Sequence, residues 1–411
     1  MKALYIHIPF CRKICSYCDF YKMVAKADLK EKYTDYLIKE LEFRKEYLSE
    51  IETIYIGGGT PSSLSTNALN RLFLALKERI NLKGLKEFTI EANPKDITED
   101  FVNLISAYNV NRVSLGVQSL KRKKLKFLGR DHKKGDVKRA IKLLQAGGIT
   151  NINVDLIFGS EKDKVKVVLK DLRKLLKWNV THVSTYSLQL EEKTILYKKF
   201  CENKFKPIDQ SLDADMYKAV CDELEAKGFV HYEVSNFALS NGYKSAHNLT
   251  YWNNDKYLGV GAAASYYIDN YRYTNINNLQ KYFDGIDAGK LNYLEENEIV
   301  PGEKMFEEVM LGFRKLEGIS LNAFKEKFGV CIKEAYPVVN ELLEKGDLVI
   351  DNEFIKVPSD KIYVLNSILI NFLNEDYDKA KEYTPLTDED VEKIIDEEEK
   401  NLEEIDSIVN E

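Results

Sequence analysis

The sequence predicts an α/β fold: a partial (β/α)6 barrel followed by a smaller α+β domain of winged-helix-like shape. Three observations predict it. Over residues 1–190, short β-branched runs alternate with helical runs over short connections, which reads as a parallel sheet curled by right-handed crossovers. Cys11, Cys15 and Cys18 directly follow the first apolar run, at the strand ends where chemistry collects in such folds. From residue 303 the pattern changes to closely spaced helical runs and a hairpin signal.

Strands are expected at Ala3–Ile8, 53–56, Glu87–Ala92, 112–117, Asn151–Phe158 and 182–190. Helices are expected between them at 28–48, Thr66–Arg79, 98–108, Lys134–Ala146 and 164–177. Polar or glycine-rich residues recur at the strand ends. Gly57, Gly58, Gly59, Thr60 and Pro61 follow the second strand, as an ordinary turn or as backbone able to approach a ligand closely. Glu91 and Asp155 sit inside apolar strands, where a carboxylate needs a partner; a surface-facing glutamate on an edge strand is the other reading of Glu91. Gln118 ends the fourth strand, and Arg130 follows it with a fork suited to a carboxylate.

A helix is expected over 207–228, capped by Asp209 or Ser211. Residues 240–300, rich in Tyr, Asn and Gly, are expected to form loops and short strands against the open side of the barrel. Helical runs at 303–314, Leu321–Phe328 and 335–345 precede a hairpin in 348–356. Residues 388–411 are strongly acidic, with Ile394, Ile395, Leu402, Ile405 and Ile408 at near-helical spacing. The domain reading is a barrel over 1–200, a barrel-covering segment over 201–300, a C-terminal domain over 301–375 and an acidic tail over 376–411.

The 411 residues carry a net charge of −6, with acids and bases interspersed. No basic patch of the kind that binds nucleic acid stands out, and no apolar run reaches membrane length. Cys201, Cys221 and Cys331 are scattered and read as core residues or idle thiols. Clustered thiols without a secretion signal imply a reducing compartment, and the cytoplasm is the expected location.

Thiolates are soft iron ligands, and protein [4Fe–4S] cubes usually take four cysteines. Cys11, Cys15 and Cys18 supply three, which leaves one iron open. A zinc site completed by a distant fourth ligand is the alternative. The C-x3-C-x2-C spacing after a first strand resembles the radical S-adenosylmethionine (SAM) enzymes. In that superfamily the open iron chelates the SAM amino and carboxylate groups.

Further strings narrow the resemblance: Tyr5-Ile-His-Ile-Pro-Phe-Cys11, Gly57–Pro61, Glu91-Ala-Asn-Pro94, Gly116-Val-Gln-Ser119, Leu128-Gly-Arg130 and Asp155-Leu-Ile-Phe-Gly159. Over about residues 1 to 375 the chain resembles the oxygen-independent coproporphyrinogen III oxidases and their relatives, the HemW haem chaperones. That resemblance implies a cluster on Cys11, Cys15 and Cys18. It implies SAM contacts from Tyr5, Tyr17, Gly58, Gly59, Thr60, Glu91, Gln118, Arg130, Asp155 and Ser187.

Three features lean towards the chaperones. The cluster motif begins at residue 11, leaving almost nothing before it to fold over a substrate. Phe20 stands where the oxidases carry a further cysteine. His247-Asn-Leu-Thr-Tyr-Trp252 resembles the chaperones' H-N-x-x-Y-W haem motif. By that resemblance His247 is a candidate axial ligand, with Asn248, Tyr251 and Trp252 beside it; a histidine satisfied by hydrogen bonds in the core is the other reading. The implied role is to bind haem and deliver it to haem-accepting proteins, and a homodimer is compatible with it. The alternative is SAM-dependent oxidative decarboxylation of coproporphyrinogen III. Two departures stand out. After Gly159 the family's Leu-Pro-Gly-Gln-Thr is replaced by Ser160-Glu-Lys-Asp163, which predicts a looser edge to the SAM site. Ser265 replaces a family histidine.

Overall fold

The structure, a computed structural model, describes residues 1–373. The acidic tail expected over 376–411 lies outside the described residues.

Six strands form the heart of the molecule: β1 (Ala3–Ile8), β2 (Thr53–Gly58), β3 (Glu87–Ala92), β4 (Arg112–Gln118), β5 (Asn151–Phe158) and β6 (His182–Ser187). They lie side by side in chain order, and every neighbouring pair is parallel. The register steps by two residues where Thr89 pairs with Arg112 and again where Asn153 pairs with His182. Such stagger tilts and curls a parallel sheet.

Alternation along the strands separates two faces. Ile54, Ile56, Phe88, Ile90, Val113, Leu115, Ile152 and Val154 join the apolar core with the crossover helices. The other face carries Tyr55, Glu91, Arg112, Ser114, Asn153, Asp155 and Ser184, which line a cavity. The helices start where the sequence places caps. Ser65 accepts the Ala68 N–H at the start of Thr66–Arg79, and Thr98 accepts that of Phe101 at the start of Glu99–Ala107. The expected helix at 28–48 runs as Ala27–Phe43 and ends in a 3-10 turn at Lys45–Tyr47.

Residues 240–300 form the short strands expected of them, which extend the sheet beyond β1, and a short helix that closes its floor. Beyond β6 come the antiparallel strands β7 (Val230–Glu233) and β8 (Asn236–Ala238). Beyond β1 come β9 (Tyr257–Val260), β10 (Ser265–Ile268), β11 (Tyr271–Asn275) and β12 (Tyr293–Glu298), giving a twelve-stranded sheet. The physical reason lies at the β1 edge. Its unpaired N–H and C=O groups are taken up by the apolar run of β9, parallel to β1. Between β8 and β9 the short helix Ala246–Trp252 tucks under the amino ends of β2 and β3. There the Glu87 carboxylate accepts the Ala246 N–H at 2.7 Å and the Ser245 hydroxyl at 3.1 Å.

The smaller domain holds the helices Pro301–Gly312, Leu321–Phe328, Ile332–Ala335 and Val338–Glu344. Its three-stranded antiparallel sheet comprises β13 (Ile319–Ser320), β14 (Val349–Asp351) and β15 (Phe354–Lys356). The expected helix at 335–345 starts only at Val338. Pro337 pushes Tyr336 out of helical geometry, to ψ 89°. Among the described residues no helix is long and apolar enough to cross a membrane.

Candidate functional site

A cavity of about 770 Å3 opens at the carboxyl ends of the six strands. Cys11, Cys15, Cys18 and Tyr17 line its mouth; Gly58, Gly59, Thr60, Glu91, Gln118, Arg130, Asp155 and Ser187 line its walls; Asn248 reaches it from the floor helix. Residues from distant positions in the chain thus converge on one chamber.

The glycines are sterically required. A Cβ on Gly58, whose φ is +113°, would fall 2.7 Å from the His7 ring, and one on Gly59 would fall 2.8 Å from the Pro9 carbonyl carbon and 3.0 Å from Cys11 Sγ. The end of β2 therefore presses directly on the cysteine loop. That loop is also pinned through Ser16, whose hydroxyl donates to Phe127 O at 2.9 Å and whose N–H donates to Leu128 O at 3.2 Å.

The walls form a paired polar network. Tyr55 donates to Glu91 Oε1 at 2.7 Å, and Gly58 N–H donates to Oε2 at 3.2 Å. Arg130 donates to Asn93 Oδ1 at 2.5 Å and to the Tyr17 oxygen at 3.0 Å. Asp155 accepts from Asn153 at 2.8 Å. Burial, reinforced by the Asp155 charge, lifts the Glu91 carboxyl to about 7 even though Tyr55 opposes the shift. Glu91 is therefore an interior residue, and the edge-strand reading is set aside. Gln118 sits at φ +58°, buried, and its Oε1 has no partner in the protein. A buried acceptor left open in a cavity is what a bound ligand's donor would satisfy.

The cysteines are all free thiols. Among the described residues no three or more His, Cys, Asp or Glu side chains are already gathered as for a single metal ion. Three separate thiols around a cavity, with Thr60 Oγ1 3.7 Å from Cys11 Sγ, fit a multi-iron cube in which each thiolate takes its own iron.

Some expected residues lie elsewhere. Tyr5 is behind the wall, its hydroxyl 2.9 Å from His7 Nδ1. Ser187 lines the cavity but donates to Asp213 Oδ1 at 2.8 Å, and Tyr363 of the C-terminal segment donates to Asp213 Oδ2 at 2.8 Å. His247 is fully buried in the floor. Its Nδ1 is 3.0 Å from Thr53 Oγ1 and its Nε2 is 2.8 Å from the Tyr251 oxygen, so neither ring nitrogen is open. Burial, with the Arg112 charge, pushes this imidazole down to about 3. Trp252 turns towards the smaller domain, with the Arg314 guanidinium 5.7 Å from its ring. Ser265 is exposed on β10, its hydroxyl 3.0 Å from Thr274 Oγ1.

The edge expected to be loose after Gly159 is closed. Asp163 accepts the Ser160 N–H at 3.0 Å, Asp163 N–H donates to Ser160 O at 2.8 Å, and buried Lys124 binds both Asp163 and Ile157 O. A carboxylate and a lysine replace the proline and glycine. Asp163→Ala strands that buried ammonium, and a loss of about 3 kcal/mol in urea unfolding is expected.

Arg112, Tyr55, Asn93 and Asn153 were missed from sequence, although they also line the chamber. The alternation Glu87-x-Thr89-x-Glu91 and Arg112-x-Ser114-x-Gly116 was the available signal of a polar inner face.

Comparison with known proteins agrees with this geometry. The Radical SAM superfamily model matches residues 5–174, and the HemN C-terminal domain model matches residues 300–359. Fold, cysteine loop and chamber thus define a radical SAM protein, a class that uses a [4Fe–4S] cluster and SAM. Heme chaperone HemW of Lactococcus lactis is 36% identical over 375 residues, covering 91% of this chain and 98% of the relative. Heme chaperone HemW of Bacillus subtilis is 37% identical over 350 residues, covering 84% and 92%. The chain belongs to the HemW family. The solved structure of the Escherichia coli coproporphyrinogen III oxidase HemN superposes with a TM-score of 0.77 at 20% identity, covering 90% of each chain, and shows the shared fold.

Proposed function

We propose that this protein binds haem and delivers it to haem-accepting proteins in the cytoplasm, on a radical SAM scaffold. Family membership at 36% identity over nearly the whole chain carries the reading. In it, Cys11, Cys15 and Cys18 hold the cluster. Gly58, Gly59, Thr60, Glu91, Gln118, Arg130 and Asp155 hold SAM. When bound, the reduced cluster supplies the electron that cleaves SAM. The chain's own residues do the positioning: the β2 glycines admit the ligand backbone to backbone, Arg130 offers a guanidinium for a carboxylate, and Glu91 offers a carboxyl for an amine or hydroxyl.

The floor helix carries the haem motif. His247 as axial ligand must first give up Tyr251 or Thr53. Tyr251→Phe removes one of those bonds and frees Nε2, so several-fold tighter haem binding is expected, read from the Soret band. Unchanged binding argues against ligation by that nitrogen.

The decisive comparison pairs two assays. Haem-loaded protein is mixed with an apo haem protein, and transfer is followed by the acceptor's spectrum. Separately, cluster-loaded protein is incubated anaerobically with SAM and coproporphyrinogen III. Transfer without carbon dioxide release is expected. SAM-dependent carbon dioxide release with no haem transfer contradicts the proposal and favours the oxidase.

A further inference from the structure

The floor helix ends against the smaller domain, and there two hydrogen-bond donors are left open. Trp252 closes the helix Ala246–Trp252. Its ring is partly exposed, but its Nε1–H is buried and meets no acceptor among the described residues. The Arg314 guanidinium lies 5.7 Å from that ring. Arg314 directly follows the helix Pro301–Gly312 and its Phe313 cap, and its backbone is held in place. Val234 N–H donates to Arg314 O at 3.0 Å, and Leu316 N–H donates to Tyr232 O at 3.1 Å.

The Arg314 side chain is half-buried and forms no ion pair with another described residue. Burial lowers its pKa, and the Glu233 charge alone opposes the shift. Glu233 ends β7, and burial lifts its carboxyl to about 7, so it is only partly charged at neutral pH. It therefore leaves much of the guanidinium's charge uncompensated. A half-desolvated guanidinium and a buried indole N–H each cost free energy while no acceptor meets them. One carboxylate satisfies both, and the arginine fork is shaped for it. The Trp252 ring beside them offers flat apolar area.

We propose that Arg314 and Trp252 Nε1–H together hold a propionate carboxylate of haem, which makes the smaller domain part of the haem site. The proposal rests on the reading of the floor helix as the haem motif. Haem is a flat apolar ring whose charged side arms are its two propionates. His247, the candidate axial ligand, lies five residues earlier on the same helix, about 7.5 Å along its axis. A group held at Trp252 therefore belongs to the edge of a ligand centred on that helix. The carboxylate of SAM is not the one held here, because Arg130 faces the chamber and Arg314 is not among the residues that line it.

The test titrates the full-length protein with ferric haem and, separately, with haem dimethyl ester, whose esterified propionates carry no charge. Both are read from the Soret band in the same solvent. Wild type is expected to bind haem about tenfold or more tightly than the ester. Arg314→Gln is expected to lose about that factor for haem and none for the ester. Trp252→Phe keeps a ring and removes the N–H; several-fold weaker haem binding is expected, again with the ester unchanged. Arg314→Lys keeps the charge and loses the fork, and its haem affinity is expected to fall between those of wild type and Arg314→Gln. Equal affinity of wild type for haem and ester overturns the proposal without recourse to any variant. So does an Arg314→Gln protein that weakens haem and ester alike, or neither. A wild type that binds neither compound overturns the proposal and the haem reading together. Propionate-dependent binding through Arg314, by a protein that passes no haem to an apo acceptor, supports the site and overturns the delivery reading alone.

Discussion

Cys11→Ser, Cys15→Ser and Cys18→Ser are each expected to yield folded protein that retains no [4Fe–4S] cluster after anaerobic reconstitution. The effect is all-or-none because, in the proposed ligand set, each thiolate would hold a separate iron and no spare cysteine is near. Cys201 is exposed on a separate helix, Cys221 lies within Gln210–Ala226, and Cys331 lies in the smaller domain, so Cys201→Ser and Cys331→Ser are expected to keep full iron. Protein without iron holds the Cys11 and Cys18 thiols protonated. Burial pushes Cys18 up to about 11 and raises Cys11 as well. Iron must displace those protons, so cluster loading is expected to fall as pH is lowered from 9 to 6. Iron and sulfide analysis beside circular dichroism checks both points; a serine variant with wild-type iron contradicts the ligand set.

The fold itself is expected to fail in mild acid. All 5 histidines of the chain, His7, His132, His182, His231 and His247, are buried. Burial is the leading cause that lowers each: to about 4 for His7, His132 and His231, to about 3 for His247, and well below 6.5 for His182. A depressed imidazole contributes stability that is present above its unfolded value of 6.5 and is lost as pH falls towards the folded value. His7, His132, His231 and His247 each cost about 2 kcal/mol by pH 5, and His182 acts in the same direction. Glu91 and Glu233, both lifted to about 7 by burial, act oppositely: their contribution is present at low pH and lost as pH rises through 7. Asp155, Asp96 and Asp255 are also raised by burial and act in the same sense, so the carboxyls offset part of what the five imidazoles cost. Acid unfolding is therefore expected as pH falls below 6.5 towards the folded histidine values of about 4. Near-ultraviolet circular dichroism against pH measures it. His231→Gln is expected to move the midpoint down, and a fold intact at pH 4 contradicts the argument.

Much of this was legible in the chain. The six strands and their helices followed from hydrophobic period, and the cysteine loop, Glu91, Gln118, Arg130 and Asp155 fell where strand ends put them. The floor was not legible. His247 meets Thr53 across 194 positions of sequence, and no local pattern announces that a seven-residue helix will plug a barrel. The polar inner face was present as alternation in β3 and β4, but single polar residues among Ile, Phe and Val read as interruptions of a core. The turn at Ser160 looked weak for lack of proline and glycine; its strength comes from Lys124, which is distant in sequence. Pro337 was a local signal sufficient to split its helix.

The measurement that bears most directly on the central claim is an anaerobic haem titration of the cluster-loaded protein, wild type beside His247→Ala, followed at the Soret band. Saturable binding of one haem per chain, weakened in His247→Ala, is the predicted result. Non-saturable binding, or none, in the wild type contradicts it.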